Sequence, residues 1–165
     1  MNRLPILAFA LLLSACAASG SVQMKPAGFS AVDSKKSAAV EVTSSVADKA
    51  DTATALKQAI VAQLASKNVF KAITTADAAD YQLKVNVLSV SDVGQGTRIM
   101  LGAFAGQAEI SAQVDVIDSK AGKAMGSFIA KGQSSGGTIF AGTTQQAIDQ
   151  AAAQIADHLL ANRLP

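Results

Sequence analysis

A strict alternation of apolar and polar residues constrains the fold of this chain more than any other feature of its sequence. Between positions 107 and 118, every second residue is aliphatic; these residues are Ala108, Ile110, Ala112, Val114 and Val116. A period of two predicts a β-strand that buries one face and exposes the other. The segment from Asp118 to Gly122 then predicts a hairpin turn, because aspartate caps such turns and glycine adopts a positive φ. A returning strand is predicted over 124–134, with Phe128 as its main core residue.

Two amphipathic helices and three further strands are predicted around this hairpin. Apolar residues spaced three to four positions apart indicate the helices, and the second helix begins with the capping box Thr143-x-x-Gln146. In the long strand that opens at Tyr81, the apolar face changes at Leu88, which indicates either a bulge or burial of both faces. The predicted ranges are strands at 38–43, 69–73 and 81–90 and helices at 47–67 and 144–162.

The order of these elements predicts an α+β fold. We expect a mostly antiparallel sheet of about four to five strands with two helices packed on one face. Residues 37–165 are long enough to form a single domain around one core. The preceding residues, 16–36, are small, polar and irregular, and we expect them to form a flexible tether after the cysteine.

The first fifteen residues have the pattern of a signal peptide. A positive start ending at Arg3 precedes an apolar stretch of ten residues, Leu4 to Leu13. This stretch is too short for a membrane-spanning helix, which needs about 20 residues, but it suits a signal-peptide core. The following Leu13-Ser14-Ala15-Cys16 resembles the lipobox of bacterial lipoproteins. It predicts cleavage between Ala15 and Cys16 and lipidation of Cys16 with acyl chains such as palmitate.

Two other interpretations of Cys16 remain open. Ala15-Cys16-Ala17 also fits ordinary signal cleavage, and Cys16 is the only cysteine and could be a buried structural residue. Acylation would remove a free thiol from an oxidising compartment. By analogy with enteric bacteria, Ala17 in place of aspartate favours the outer membrane. We therefore expect a lipid-anchored domain that faces the periplasm, with exposure at the cell surface left open.

The composition argues against several classes of function. The net charge is +2 and the charges are interspersed, so the basic stripe that nucleic-acid binding requires is missing from the sequence. No G-x-S-x-G elbow or G-K-[ST] phosphate loop is present. The single histidine, His158, is expected to be exposed or at the rim of the core, near the end of the last helix. The only glutamates, Glu41 and Glu109, are expected on outward strand faces. The sequence thus predicts no catalytic residue, no metal and no cofactor.

The second half of the chain resembles DUF4410, a family of bacterial lipoproteins with a domain of unknown function. The resemblance begins with Ala79-Asp80-Tyr81-x-Leu83-x-Val85 and continues with Arg98 and a glycine-rich stretch at 102–106. It then includes Val114-x-Val116-x-Asp118-x-x-x-Gly122 and a Ser/Gly segment before the last helix. The resemblance implies a lipoprotein that faces the periplasm, and it implies no particular activity.

The glycine-rich segment from Gly94 to Gly106 is the candidate partner-binding loop. Its candidate contact residues are Arg98, Ile99, Met100, Leu101 and Phe104. If exposed, the apolar group would suit a protein partner or a bilayer. The alternative is that the same residues continue into the next strand and pack beneath a helix. The leading hypothesis is a non-enzymatic envelope lipoprotein that binds another envelope protein. The alternatives are a self-assembling structural lipoprotein and, from another class, an envelope hydrolase.

Overall fold

The computed structural model describes residues 18–91, 107–135 and 143–164, with only the backbone described at 24–27. These ranges contain eight strands, two α-helices and a short 3-10 helix at Ala76–Ala78. In chain order the strands and α-helices are β1 (Ser19–Phe29), β2 (Val32–Asp33), β3 (Ser37–Ser44), α1 (Ala50–Ser66), β4 (Ala72–Ile73), β5 (Tyr81–Ser91), β6 (Glu109–Asp118), β7 (Lys123–Gln133), α2 (Thr144–Ala161) and β8 (Arg163–Leu164).

The main sheet has six strands in the order β1-β7-β6-β5-β3-β4. The β1–β7, β7–β6 and β6–β5 pairs are antiparallel, whereas β3 is parallel to both β5 and β4. The α+β class is confirmed, but the expected four to five mostly antiparallel strands were wrong, because the sheet is larger and mixed. The parallel part arises because α1 crosses over between β3 and β5, and a crossover returns the chain in the same direction. Strands β2 and β8 form a separate short parallel pair.

Both helices pack on one face of the sheet and against each other. The predicted inward residues of β6 are almost fully buried, and so are the predicted stripes of both helices; the helix residues are Ala53, Leu56, Ile60 and Leu64 in α1 and Ile148, Ala152, Ile155 and Leu159 in α2. Thr143 caps helix α2 as predicted, since its Oγ1 accepts a hydrogen bond from the Gln146 amide at 3.2 Å. The Gln146 side chain does not complete the predicted capping box, because its Oε1 accepts from the Ser135 hydroxyl at 3.2 Å. The predicted bulge in β5 lies between Val87 and Ser89.

Strand β1 corrects the expectation of a tether over 16–36. Residues from Ser19 to Met24 pair in register with Gln133 to Phe128 of β7, and the ring of Phe29 packs 5.8 Å from that of Phe128. The alternation in β1 is short, because only Val22 and Met24 alternate with polar residues before Pro26 interrupts the pattern. The strand lies at the edge of the sheet, where backbone hydrogen bonds to β7 hold it. The short second strand was also predicted too long. Val69 and Phe70 are buried in the core instead of pairing in the sheet.

Candidate functional site

The two motifs quoted for the family meet at one end of the sheet, in a set of paired charges. Asp80 precedes β5, and its carboxylate accepts hydrogen bonds from Lys120 Nζ at 2.8 Å and from the Ser37 amide and hydroxyl at 3.0 and 2.9 Å. The Lys120 ammonium, followed by the two Ser37 donors, holds the pKa of Asp80 far below its usual range. Asp80 therefore links the starts of β3 and β5 to the β6–β7 turn.

Asp118 closes the turn to which Lys120 belongs. Its Oδ1 accepts from the Lys120 amide at 3.0 Å and from the Ala121 amide at 2.9 Å, and Lys36 Nζ lies 3.8 Å from its other oxygen. These donors, the Ala121 amide first, lower the pKa of the Asp118 carboxyl. Gly122 has a φ of 60°, as the turn prediction requires. The aspartate and glycine of the second motif thus build a turn.

Tyr81 completes this group of contacts from the core side. Its side chain is buried, and its hydroxyl accepts a hydrogen bond from the Asp33 amide at 3.2 Å. Lys36 Nζ lies 5.0 Å from the centre of the Tyr81 ring, and Tyr81 is the main cause of a raised pKa for Lys36. Each of these charges has a neighbour of opposite sign or an amide donor. These contacts join the ends of several strands. We call the residues that make them the clasp residues: Lys36, Ser37, Asp80, Tyr81, Asp118 and Lys120.

His158 was expected to be exposed or at the rim of the core, and the structure shows it partly buried. Its ring centre lies 4.3 Å from that of Phe128 and 5.2 Å from that of Phe29. Its Nε2 is buried and has no hydrogen-bond partner among the described residues, and burial lowers the pKa of the imidazole. The spacing from Ile155 could have indicated this position, because residues three apart share a helix face. The partner Phe29 lies in the segment that was predicted to be a tether.

We expect this burial to make folding stability sensitive to mild acid. The folded state favours neutral His158, so the unfolded state binds the proton more readily. The stability that depends on neutral His158 is then fully present above about pH 6.5, the ordinary pKa of histidine, and it is lost as the pH falls below that value. Thermal unfolding of the wild type and of His158→Phe between about pH 7.5 and 5.5 measures the effect. The phenylalanine variant should show little pH dependence in this range, and equal slopes for the two proteins would contradict the assignment.

The sheet face opposite the helices is polar and hydrogen-bonded across strands. Ser19 donates to Gln133 Oε1 at 3.2 Å, and Gln133 Nε2 donates to Glu109 at 2.8 Å. Glu41 lies on the same face opposite Lys84, so both glutamates point outward as predicted. A polar face of this kind suits solvent, because antiparallel sheets commonly bury one side only.

Strand β3 has an open outer edge next to helix α1. The two-residue β4 covers only Ser37 and Ala38, and no described residue pairs with the rest of this edge. Two grooves of about 430 and 570 Å³ follow the edge. Their α1 side consists of a stripe spaced three to four apart: Ala50, Ala53, Thr54, Lys57 and Val61. We call this strip of β3 backbone, from Val40 to Ser44, the β3 edge. Of the elements predicted from the sequence, the short strand at 69–73 is the one that leads into β4, which lies beside the β3 edge.

Several predicted site residues lie outside the described residues. These are Ala15 and Cys16 of the signal region and Arg98, Ile99, Met100, Leu101 and Phe104 of the candidate loop. Within the described ranges, no three His, Cys, Asp or Glu side chains are grouped closely enough to hold a metal ion. None of the helices in those ranges is long and apolar enough to cross a membrane.

Solved structures with this fold include the PelC dodecamer from Paraburkholderia phytofirmans. A form of PelC with a single substitution matches with a TM-score of 0.60 and 15% identity, over 88% of this chain and 99% of that one. PelC in another crystal form matches with a TM-score of 0.59 and 17% identity over the same shares. A Xanthomonas campestris protein of the DUF330 family matches with a TM-score of 0.54 and 13% identity, over 84% of this chain and 87% of that one. At these identities the likeness concerns the fold alone.

The family comparison covers most of the domain. No curated protein matches the chain. The sequence pattern of the family described as "Domain of unknown function (DUF4410)" matches residues 21–138, which include most of β1, the clasp residues and β7. This match extends the resemblance noted from the second half of the sequence toward the N-terminus. The chain belongs to the DUF4410 family.

Proposed function

We propose that this chain is a lipid-anchored protein of the bacterial cell envelope whose domain acts by self-association and not by catalysis. Support for the anchor comes from the sequence, in which an apolar stretch of ten residues leads to Leu13-Ser14-Ala15-Cys16. Acylation of Cys16 would hold the domain at a membrane stably, because a lipoprotein cysteine carries more than one acyl chain. We place this membrane in the envelope, with the domain on its periplasmic side.

The chemistry of the described residues supports a role without catalysis. Asp80 and Asp118 are held by lysines and backbone amides, so each is engaged in joining strands. His158 is packed between two phenylalanine rings. A general base needs a free position beside a substrate and a pKa near the working pH. None of these three groups has such surroundings.

The observation that carries the proposal of self-association is the fold shared with PelC, a protein solved as a dodecamer. The likeness covers 99% of the solved PelC chain. We infer that this domain also forms a homo-oligomer. The second candidate is binding of a different envelope protein through Arg98, Ile99, Met100, Leu101 and Phe104, which remains a prediction from the sequence.

Replacing Cys16 by serine is expected to abolish lipidation. Mass spectrometry of the full chain from bacterial membranes should find two or three acyl chains on the wild type and none on Cys16→Ser. The variant should also leave the membrane fraction. A wild-type chain that carries no acyl group would overturn the anchor, whatever its assembly state.

Native mass spectrometry of the detergent-extracted full chain tests self-association directly. We expect discrete multimers that dissociate on dilution. A monomer at all concentrations would overturn this part of the proposal.

Photo-crosslinking tests the second candidate, which is binding of another envelope protein. Probes replace Met100 and Phe104, and Lys84 on the polar face is the control position. An adduct with one other envelope protein from the loop positions alone would favour that candidate.

A further inference from the structure

The β3 edge presents a short row of unpaired backbone groups. In a parallel ladder the N–H and C=O of one residue point to the same side, and successive residues alternate. The Thr74 amide donates to Ala38 O at 2.9 Å, whereas the Ser45 amide donates to Val87 O of β5 at 3.0 Å. Even-numbered residues of β3 therefore point away from β5. Beyond the reach of β4, the outward residues are Val40, Val42 and Ser44.

Strand β1 presents a matching row at the opposite end of the sheet. The Ser134 amide donates to Ala108 O at 2.9 Å, so even-numbered residues of β7 face β6 and odd-numbered residues face β1. Their partners Ser19, Ser21 and Gln23 are then the β1 residues that bond to β7. The alternate residues point outward, and no described strand covers them. These outward residues are Gly20, Val22 and Met24, and Pro26, which has no N–H, follows them.

The two rows are complementary in direction. Strands β7, β6 and β5 are successively antiparallel, and β3 is parallel to β5, so β3 runs opposite to β1. Copies related by rotation about an axis along the strands keep the same strand direction. The β3 edge of one copy and the β1 edge of the next would therefore meet as an antiparallel pair.

The two rows also agree in register and in face. Three outward residues on each strand overlap fully only when Val40, Val42 and Ser44 face Met24, Val22 and Gly20 of the next copy. In this register Val42 and Val22, both half-buried on the helix side, lie opposite each other. Glu41 and Gln23, both exposed on the polar face, also lie opposite each other. The helices of both copies are then on the same side of one continuous sheet.

We propose that copies of this chain assemble head to tail, with the β3 edge of one copy pairing with β1 of the next. The proposal rests on the self-association proposed above and names its surface. The grooves between the β3 edge and α1 have volumes of about 430 and 570 Å³, and the small side chains of Ala50 and Ala53 line the second of them. Unpaired edges of this kind pair readily with another chain. A head-to-tail contact that closes on itself produces a ring.

Proline at an outward edge position provides the first test. Val42→Pro and Val22→Pro each remove one outward N–H while leaving the ladder inside the copy in place. Native mass spectrometry of the full-length variants should find each one monomeric, with at least a tenfold loss of multimer at equal concentration. Val42→Thr and Val22→Thr are the matched controls, because threonine keeps the N–H and a branched side chain; they should assemble like the wild type.

Mixing the two proline variants distinguishes this contact from others. Val42→Pro retains an intact β1, and Val22→Pro retains an intact β3 edge, so one contact can still form between them. An equal mixture should give a dimer of the two variants and nothing larger. A dimer of Val22→Pro with itself would instead indicate pairing of two β3 edges and would overturn the head-to-tail arrangement. Multimers of both variants that match the wild type would overturn the interface while leaving self-association intact.

A cysteine pair tests the same register without proline. Within one copy, β1 and β3 are four strand spacings apart, or about 19 Å, which is too far for a disulfide. Full-length Glu41→Cys/Gln23→Cys should therefore give a ladder of covalent multimers on a non-reducing gel, and each single variant should give no ladder. A wild type that forms multimers and a double variant that stays uncrosslinked would contradict the register. A monomeric wild type would contradict the proposed self-association itself.

Discussion

Replacing Gly132 by alanine is expected to destabilise the domain by about 3 kcal/mol, the upper end of the cost of overpacking a core. A Cβ atom at this position would lie 2.0 Å from Ala147 O and 2.4 Å from Ala151 N, both in the backbone of α2. Because a helix backbone cannot move aside as a flexible side chain can, α2 has to shift away from the sheet. Urea unfolding of the wild type and of Gly132→Ala measures the difference in the free energy of unfolding.

Gly122→Ala is the control for this prediction. Gly122 has a φ of 60°, and a Cβ atom there would have no neighbour within 4 Å. The expected cost is the strain of a left-handed residue alone, about 1 kcal/mol. Similar losses for the two variants would show that close packing of α2 is not the reason for glycine at position 132.

Phe128→Ala is expected to cost about 3–5 kcal/mol, the usual range for removing a buried phenylalanine. Phe128 is fully buried, and its ring contacts Phe29 of β1 and His158 of α2. The substitution leaves a cavity at the point where the edge strand, the sheet and the last helix meet. We therefore expect hydrogen exchange to accelerate in β1 as well as in β7, because β1 loses its main apolar contact.

Leu88→Ala serves as the matched control for this cavity. Leu88 is 39% exposed on β5, so its truncation should change the free energy of unfolding by no more than about 0.5 kcal/mol. Chemical denaturation of both variants gives the comparison. A Phe128→Ala loss below about 1.5 kcal/mol would contradict the central packing role of this ring, because it would match a volume-conserving swap.

The central hairpin and both helices could be predicted from the sequence because local pattern and burial coincide there. Ala108 to Val116 alternate, and one face of the strand is buried against the helices. The turn at Asp118 depends on contacts between residues two and three apart, namely those of Asp118 with Lys120 and Ala121. The spacing of apolar residues and the residue types of a turn are properties of short segments, so both can be recognised without knowledge of the fold.

The edge strand and the surroundings of His158 depend on contacts between distant parts of the chain. Residues 19–29 alternate only briefly, at Val22 and Met24, and they form a strand because β7 offers them backbone partners roughly 100 positions away. His158 is half-buried because this same strand brings Phe29 against it. The sequence therefore predicted the class of fold, while the order of the strands and the open edges arise from pairing that no local pattern specifies.

The start of β1 at Ser19 has a consequence for how an anchored chain would meet its neighbours. Only positions 17 and 18 separate Cys16 from the strand, and three residue steps span about 10 Å at most. A domain held this closely to a bilayer cannot turn over or move far from the surface. Its encounters with other copies are then confined to two dimensions, with the sheet in a nearly fixed orientation. Such confinement raises the effective concentration of one edge for the other, so a three-residue strand contact can assemble on the membrane at a lower overall protein concentration than in free solution.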